Sequence, residues 1–385
     1  MTSHSPKTSN SPLLAAFIVG CAFFYFLIFA QFGFLHHLTT LETKPNLIEL
    51  ILGFMGAGGI IGSITTARRF EIQHATSWLV TGFVGCGLSA IVAIVATNIW
   101  LQFLVALLVG LFLGSLTVAI VPLVRALVPP TRIGLYASLG VGGAYFLSNI
   151  PHIFKRLGED HCLLGAIACF IGVIATLSAP RIDEDGLSSQ ATTPKTPGCL
   201  FRTSGVLTIT GMFLALIWLD SAAFYLIQES SILKSISWST DAQLWVNACF
   251  HFLFAMIGGW WLDRGWLFAL LVVSFVLLVT GYWLLKSSSG TLSLVYTQVY
   301  IAGVSLYSSA LVAYGALAPE KKAFWSVRAR AGIVFSIAGW FGSGLGIGMA
   351  RDLNKVPSAF LIAVAGFVLF CCFIAWRTAA LRRLS

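Results

Sequence analysis

Twelve runs of about twenty apolar residues divide this chain, and they constrain its fold more than any other feature. A bilayer core about 30 Å thick is crossed by about 20 residues of α-helix. Lipid offers no partner to an exposed backbone N–H or C=O, so each run that crosses must be helical. The runs are placed at about 12–35, 47–66, 77–97, 100–124, 133–151, 162–179, 204–227, 242–262, 266–285, 292–316, 330–350 and 356–376. The third and fourth are nearly fused, with Thr97 and Asn98 marking the turn between them. The first run is longer than the 7–15 apolar residues of a signal peptide and no small-residue cleavage site follows it, so it is expected to stay as the first membrane helix.

The composition agrees. Only 10% of the residues are charged, 58% are hydrophobic, and the mean hydropathy is +0.90. A soluble protein carries about 25% charged residues to cover its surface. The net charge of +9 does not point to nucleic acid, because the Lys and Arg residues occupy short segments between apolar runs. Seven of the eight cysteines fall within or at the edge of those runs, and no CxxC pair occurs. Buried free thiols are the expectation.

The longest polar stretch, Arg181 to Thr203, separates six runs from six. It predicts a first six-helix bundle over 1–180, a cytoplasmic linker over 181–203 and a second bundle over 204–385. Cytoplasmic loops carry excess Lys and Arg. With the N-terminus inside, 16 basic residues fall in inner segments and 7 in outer ones. Both termini are therefore expected on the cytoplasmic side of the cytoplasmic (inner) membrane. The halves also echo each other. The second run ends in Gly62-Ser-Ile-Thr-Thr-Ala-Arg68-Arg69, and the eighth in Gly258-Gly259-Trp-Trp-Leu-Asp263-Arg264-Gly265. The fourth and tenth run into loops bearing Pro129-Pro130 and Pro319-Glu320-Lys321-Lys322. Repeated six-helix units are a common transporter plan.

With these features the sequence resembles the major facilitator superfamily over essentially its whole length. The family's loop signature of Gly, three residues, Asp, Arg and Gly is matched in the second half by Gly259, Asp263, Arg264 and Gly265. The spacing after Arg264 is one residue short. In the first half only Gly62, Arg68 and Arg69 remain, and Thr66 stands where the Asp would be. The resemblance implies an all-α membrane protein of twelve transmembrane helices in two pseudo-symmetric six-helix bundles. It implies alternating access about a central site, and an inner gate latched by the signature Asp, which the first half lacks. Gly58 with Gly62, Gly342 with Gly346, and Gly344 with Gly348 have GxxxG spacing, while Gly134, Gly140, Gly142 and Gly143 crowd the fifth run. They suit either sliding helices or static close packing.

Ionisable side chains within lipid are costly and hint at function. Asp220, well inside the seventh run, is the clearest. Burial disfavours the ionised carboxyl, so Asp220 is a candidate proton-coupling group or solute ligand, or else a structural Asp bonded to a neighbouring helix. Glu229 points away from it and reads as a solvated helix end. Gln243, Asn247 and His251 share one stripe of the eighth run, and His251 could relay a proton, bind solute or simply pack. Tyr296, Tyr300, Tyr307 and Tyr314 align on the tenth run, with Tyr300 and Tyr307 the candidates and the other two assigned to the interfaces. The first half offers Tyr25, Gln31, Gln102, Tyr145 and Asn149. His36 and His37 are expected to be solvated, and Arg125 to snorkel to the inner interface.

No Walker A sequence, HExxH, zinc cluster or Gly-x-Ser-x-Gly occurs. No cofactor, resident metal or enzymatic activity is expected. With no Lys or Arg at mid-depth, a strongly anionic solute is disfavoured. The leading expectation is a monomeric secondary transporter, symporter or antiporter, of a small neutral, hydrophobic or cationic solute, with protons as a possible second partner. Two alternatives stand beside it. One is a copper importer using Met212, Cys249, His251 and Met256. The other is a membrane assembly or sensor protein that kept the fold without transport.

Overall fold

The computed structural model describes residues 11–41, 44–156, 158–180, 205–287, 292–317 and 326–383. The linker 181–203 and the loop from Pro319 to Lys322 lie outside them. The long helices are α1 (Ser11–Thr40), α2 (Pro45–Arg69), α3 (Ala75–Val95), α4 (Ile99–Leu127), α5 (Ile133–Ser148) and α6 (Gly158–Leu177) in the first half. The second half has α7 (Val206–Glu229), α8 (Asp241–Asp263), α9 (Leu267–Ser287), α10 (Ser293–Leu317), α11 (Val327–Leu353) and α12 (Ser358–Arg383). Ten are at once long and apolar enough to cross a membrane, and α5 and α12 complete the twelve. The chain is a multi-pass membrane protein.

Local chemistry explains the ends. The Asn98 side chain caps α4 by accepting from the Trp100 amide at 2.9 Å. Thr240 and Gln243 form a reciprocal capping box at the start of α8. Gln243 is therefore spent on a helix cap and does not belong to the stripe expected of it with Asn247 and His251. Helix α5 stops short, at Ser148, because Pro151 holds Ile150 in an extended conformation. Helix α6 starts early, at Gly158, with Glu159 and Asp160 in a first turn whose dipole favours acids. Hydropathy alone reads those two residues as loop.

Two membrane helices carry π-helical turns, Phe26–Gly33 in α1 and Val334–Phe341 in α11. Helix α1 continues through its π-turns to Thr40, where α6 packs over it. His37 is consequently buried, at 2% exposure, and not solvated as its terminal position suggested. Gly158 makes this possible, since a Cβ there would lie 2.8 Å from the His37 amide nitrogen.

The packing repeats with a six-helix period. Helix α2 lies against α4 as α8 lies against α10, α1 against α5 as α7 against α11, and α3 against α4 as α9 against α10. Across the halves α5 packs on α8, and α2 on α11. Gly58 and Gly62 press on the α4 carbonyls of Leu107 and Leu111, while Gly346 meets the Trp218 carbonyl of α7. These GxxxG faces thus join helices within a half, while Gly344 and Gly348 face open space. Helix α10 is the most enclosed, with 89% of its most apolar window buried against 33% for α2. It carries the polar residues of the centre.

Candidate functional site

Asp220 lies about 14 Å from the C-terminal end of α7, at 1.5 Å per residue. Its two carboxylate oxygens accept hydrogen bonds from different tyrosines of α10, Oδ1 from the Tyr300 hydroxyl and Oδ2 from the Tyr307 hydroxyl. The Tyr300 hydroxyl also lies 3.3 Å from the Asp220 carbonyl. Residues seven apart on a helix stand nearly in line, two turns apart, so α10 presents both hydroxyls to one side chain of α7. Asp220 keeps part of its surface accessible despite this depth. Among the described residues no ion pair reaches it, because all of those pairs sit at helix ends.

The first half contributes Tyr145 from α5. Its hydroxyl shares a hydrogen bond of 3.1 Å with Ser308 of α10, beside the Tyr307–Asp220 pair. Its ring lies flat on His251 of α8, with centroids 4.3 Å apart and planes 4° apart. His251 Nδ1 is 2.8 Å from Ser305 Oγ, again on α10. Asp220, Tyr300, Tyr307 and His251 thus converge with Tyr145, Ser305 and Ser308, a set drawn from α5, α7, α8 and α10. The serines carried no signal in the sequence, since hydroxyls bonding their own helix are common in apolar helices. Tyr145 was visible only as one of the few polar groups of the first half.

The other candidates go elsewhere. Tyr25 is fully buried inside the first half, packed on Phe29 and Gly165 beside Cys86 and Cys169. Asn247 commits its amide to protein, donating to the Ser237 carbonyl at 2.9 Å and accepting from Gln298 at 2.7 Å. Asn149 caps its own helix and accepts from Trp238 Nε1 at 3.3 Å. Gln31 sits half-buried in the π-helical part of α1. Tyr314, assigned to an interface, is buried against Phe213 with centroids 5.9 Å apart. Two of the proposed copper ligands, Cys249 and His251, point apart. Cys249 is exposed and His251 buried, because two residues on a helix point about 200° apart. Among the described residues no three His, Cys, Asp or Glu side chains cluster.

At the end of the molecule bearing Arg68 and Arg69, the halves are joined by backbone chemistry. Asp263 at the end of α8 accepts from the amides of Gly134 at 2.6 Å and Leu135 at 3.0 Å. These are orphan N–H groups in the first turn of α5, so Asp263 caps a helix of the other half. Gly134 and Gly259 face each other there. A Cβ on Gly134 would lie 2.4 Å from the Gly259 carbonyl oxygen. Gly265, at φ 79°, closes α8 in a Schellman turn, with Gly265 N bonded to Leu262 O and Trp266 N to Trp261 O. Arg264 lies over the Trp260 ring at 3.6 Å. Arg68 and Arg69 are exposed at the end of α2. Arg125, expected to snorkel, instead crosses to the Ala316 carbonyl of α10 at 2.6 Å. Arg328 of α11 donates to the Phe70 carbonyl that ends α2.

The opposite end is also bridged. Lys155 pairs with Asp241 and Arg351 with Glu49, each at 2.6 Å and each across the halves. Phe32 of α1 meets Phe224 of α7 edge-on at 5.4 Å, and Phe224 meets Trp238 at 6.2 Å.

No family model and no curated protein matches the chain by sequence. Solved structures do match it. The E. coli fucose:proton symporter aligns over 97% of this chain and 99% of its own, at 17% identity and a TM-score of 0.61. The human organic anion transporter MFSD10 aligns over 97% and 100%, at 13% identity and a TM-score of 0.66. The proton:xylose symporter XylE aligns over 96% and 94%, at 13% identity and a TM-score of 0.62. Twelve helices in two six-helix units, joined α5 to α8 and α2 to α11, are therefore the fold of the major facilitator superfamily transporters.

Proposed function

We propose that this chain is a secondary active transporter that works by alternating access, with Asp220 as its coupling carboxylate. One observation carries the reading: an acid at mid-depth, held by two tyrosines of α10 and accompanied by a tyrosine of the other half, with no basic side chain paired to it among the described residues. An unpaired carboxylate in lipid is costly. Taking up a proton, or meeting a cationic solute, removes that cost, and losing either restores it. Two of the matching structures are named as proton symporters, of fucose and of xylose.

The cross-half contacts support the motion. Bridges at both ends cannot all persist while the centre opens to one side, so each opening breaks one set and keeps the other. The moving bodies are residues 1–180 and 204–385, joined by the linker 181–203. The basic end faces the cytoplasm, as the Lys and Arg bias requires, and the protein acts as a monomer in the cytoplasmic membrane. The solute is small and neutral, hydrophobic or cationic.

Reconstituted protein tests this. Vesicles carrying an imposed pH gradient are screened for uptake or efflux of candidate solutes, with Asp220→Asn beside the parent. Gradient-driven transport that disappears in Asp220→Asn is expected. Transport indifferent both to the gradient and to the substitution removes Asp220 from the mechanism.

A further inference from the structure

The hydrogen bonds of His251 assign its proton. Ser305 Oγ has one hydrogen and two partners, His251 Nδ1 at 2.8 Å and the Ile301 carbonyl at 2.9 Å. A carbonyl cannot donate, so both bonds form only if the serine gives its hydrogen to Ile301 and receives one from Nδ1. Nδ1 therefore carries a proton, and in the neutral ring Nε2 is left with a bare lone pair. Tyr145 fixes the ring plane by stacking, and is itself fixed by Ser308. Nε2 has no protein partner among the described residues, yet it is not among the buried atoms left unpaired, so it keeps accessible surface. His251 as a whole is only 4% exposed. A neutral imidazole with one nitrogen tied down and the other unpartnered but still accessible, deep inside a membrane protein, is an acceptor awaiting a donor.

The nearby groups sharpen this. Asp220 is an acceptor whose two oxygens each hold one tyrosine hydroxyl and retain further lone pairs. The hydroxyl hydrogens of Tyr300 and Tyr307 are already directed at it. What this centre presents to a guest is therefore acceptor capacity between aromatic walls.

We infer that His251 Nε2 accepts a hydrogen bond from the transported solute, which is accordingly a small molecule bearing O–H or N–H donors and not a purely apolar one. This deepens the proposed function and rests on the centre being a solute site. Ser305 and Tyr145 are positioning residues for that bond.

Protein labelled with 15N-histidine, purified in detergent at fixed pH, is titrated with polyols (sorbitol, glucose), with primary amines (ethylamine, benzylamine) and with donor-free tetraethylammonium. The free protein is expected to show His251 with a protonated Nδ1 and a pyridine-type Nε2. A probe from one donor set is expected to move the Nε2 resonance, and the set that does so separates hydroxyl from amine solutes. Two variants then separate solute binding from packing. His251→Gln places an amide oxygen near the Nε2 position and should bind that probe within about threefold of the parent. His251→Asn retains a partner for Ser305 but loses the inward acceptor, and should bind about tenfold more weakly, the loss of one hydrogen bond. A proton on Nε2 in the free protein overturns the inference. So does an Nε2 signal that no donor probe moves, tetraethylammonium binding as tightly as the best donor, or His251→Asn binding like the parent. None of these readouts uses a proton gradient, so failure of coupling at Asp220 is scored separately.

Discussion

The two interfaces at the basic end occupy equivalent places in the six-helix repeat and are built differently. Between α8 and α5, a carboxylate of one half caps the helix of the other. Asp263 receives two first-turn amides of α5, and Gly259 and Gly134 bring the backbones into contact. Between α2 and α11 the equivalent carboxylate is missing. Thr66 is fully buried, its hydroxyl has no hydrogen-bond partner, and α11 is capped by its own Ser326 through the Ala329 amide at 3.3 Å. What joins that pair is the Arg328 bond to the Phe70 carbonyl, with Gly332 seated on Ala67 and the Trp340 ring seated on Gly59. One interface is held by a charge on a helix end, the other by shape and the Arg328 guanidinium. A repeat can thus keep its geometry while only one copy retains the chemistry, because a helix that caps itself no longer needs a cap from its neighbour.

The largest break in this comparison is expected from Gly259→Val. Its Cβ would lie 2.6 Å from the Gly134 carbonyl oxygen, and backbone cannot yield as a flexible side chain can. Overpacking of this kind costs about 1–3 kcal/mol. Cysteine cross-linking between the basic ends of α5 and α8 should fall, and solute transport with it. Full cross-linking would show that the close approach is dispensable.

Next comes Thr66→Asp, which restores the missing carboxylate. If the α2–α11 interface truly works without charge, the new acid finds no free helix amide. It should lower the melting temperature by an amount matching the roughly 1–3 kcal/mol of an unsatisfied buried group. A gain in stability would mean that the two interfaces are interchangeable after all.

Asp263→Asn should be milder. The amide keeps one acceptor oxygen, so one of the two α5 amides and the charge assistance are lost, about 1–2 kcal/mol. Accessibility of a cysteine placed near the Gly134 end of α5 should rise, while the α2–α11 end stays unchanged.

Ser326→Ala is expected to be the smallest, about 1 kcal/mol for a helix N-cap. Its informative form is the double variant with Thr66→Asp. If the freed amides of α11 then donate to the new carboxylate, the double variant will be more stable than the sum of the singles, and a cycle on melting temperature will measure the coupling.

Much of this was legible in the linear chain, because lipid admits few solutions. A run of about twenty apolar residues must be a helix, so the helices, their number and their order could be read directly. Asp220, Tyr300, Tyr307 and His251 stood out because polar groups within such runs are rare. The ends were less legible. Hydropathy cannot see that Glu159 and Asp160 belong to a helix, or that His37 lies under α6, since both depend on what packs nearby. Nor could it sort the polar residues by partner. Asn247, on the stripe of His251, turns out to hold a connecting segment, and Gln243 a cap.

What the sequence determined by itself was every property fixed within one helix or by the solvent around it: span, polarity, and the glycine that ends α8. What only the tertiary structure decided was which helix each polar group meets. The tyrosine pair of α10 closes on Asp220 because α7 stands opposite it, Tyr145 lies flat on His251 because α5 crosses to α8, and Asp263 finds bare amides because α5 begins beside it. Hydrogen bonds and ring contacts act over about 3–6 Å, whereas the residues that make them are separated by up to 258 positions in the chain. No local pattern carries that information, and the packing of the two halves supplies it.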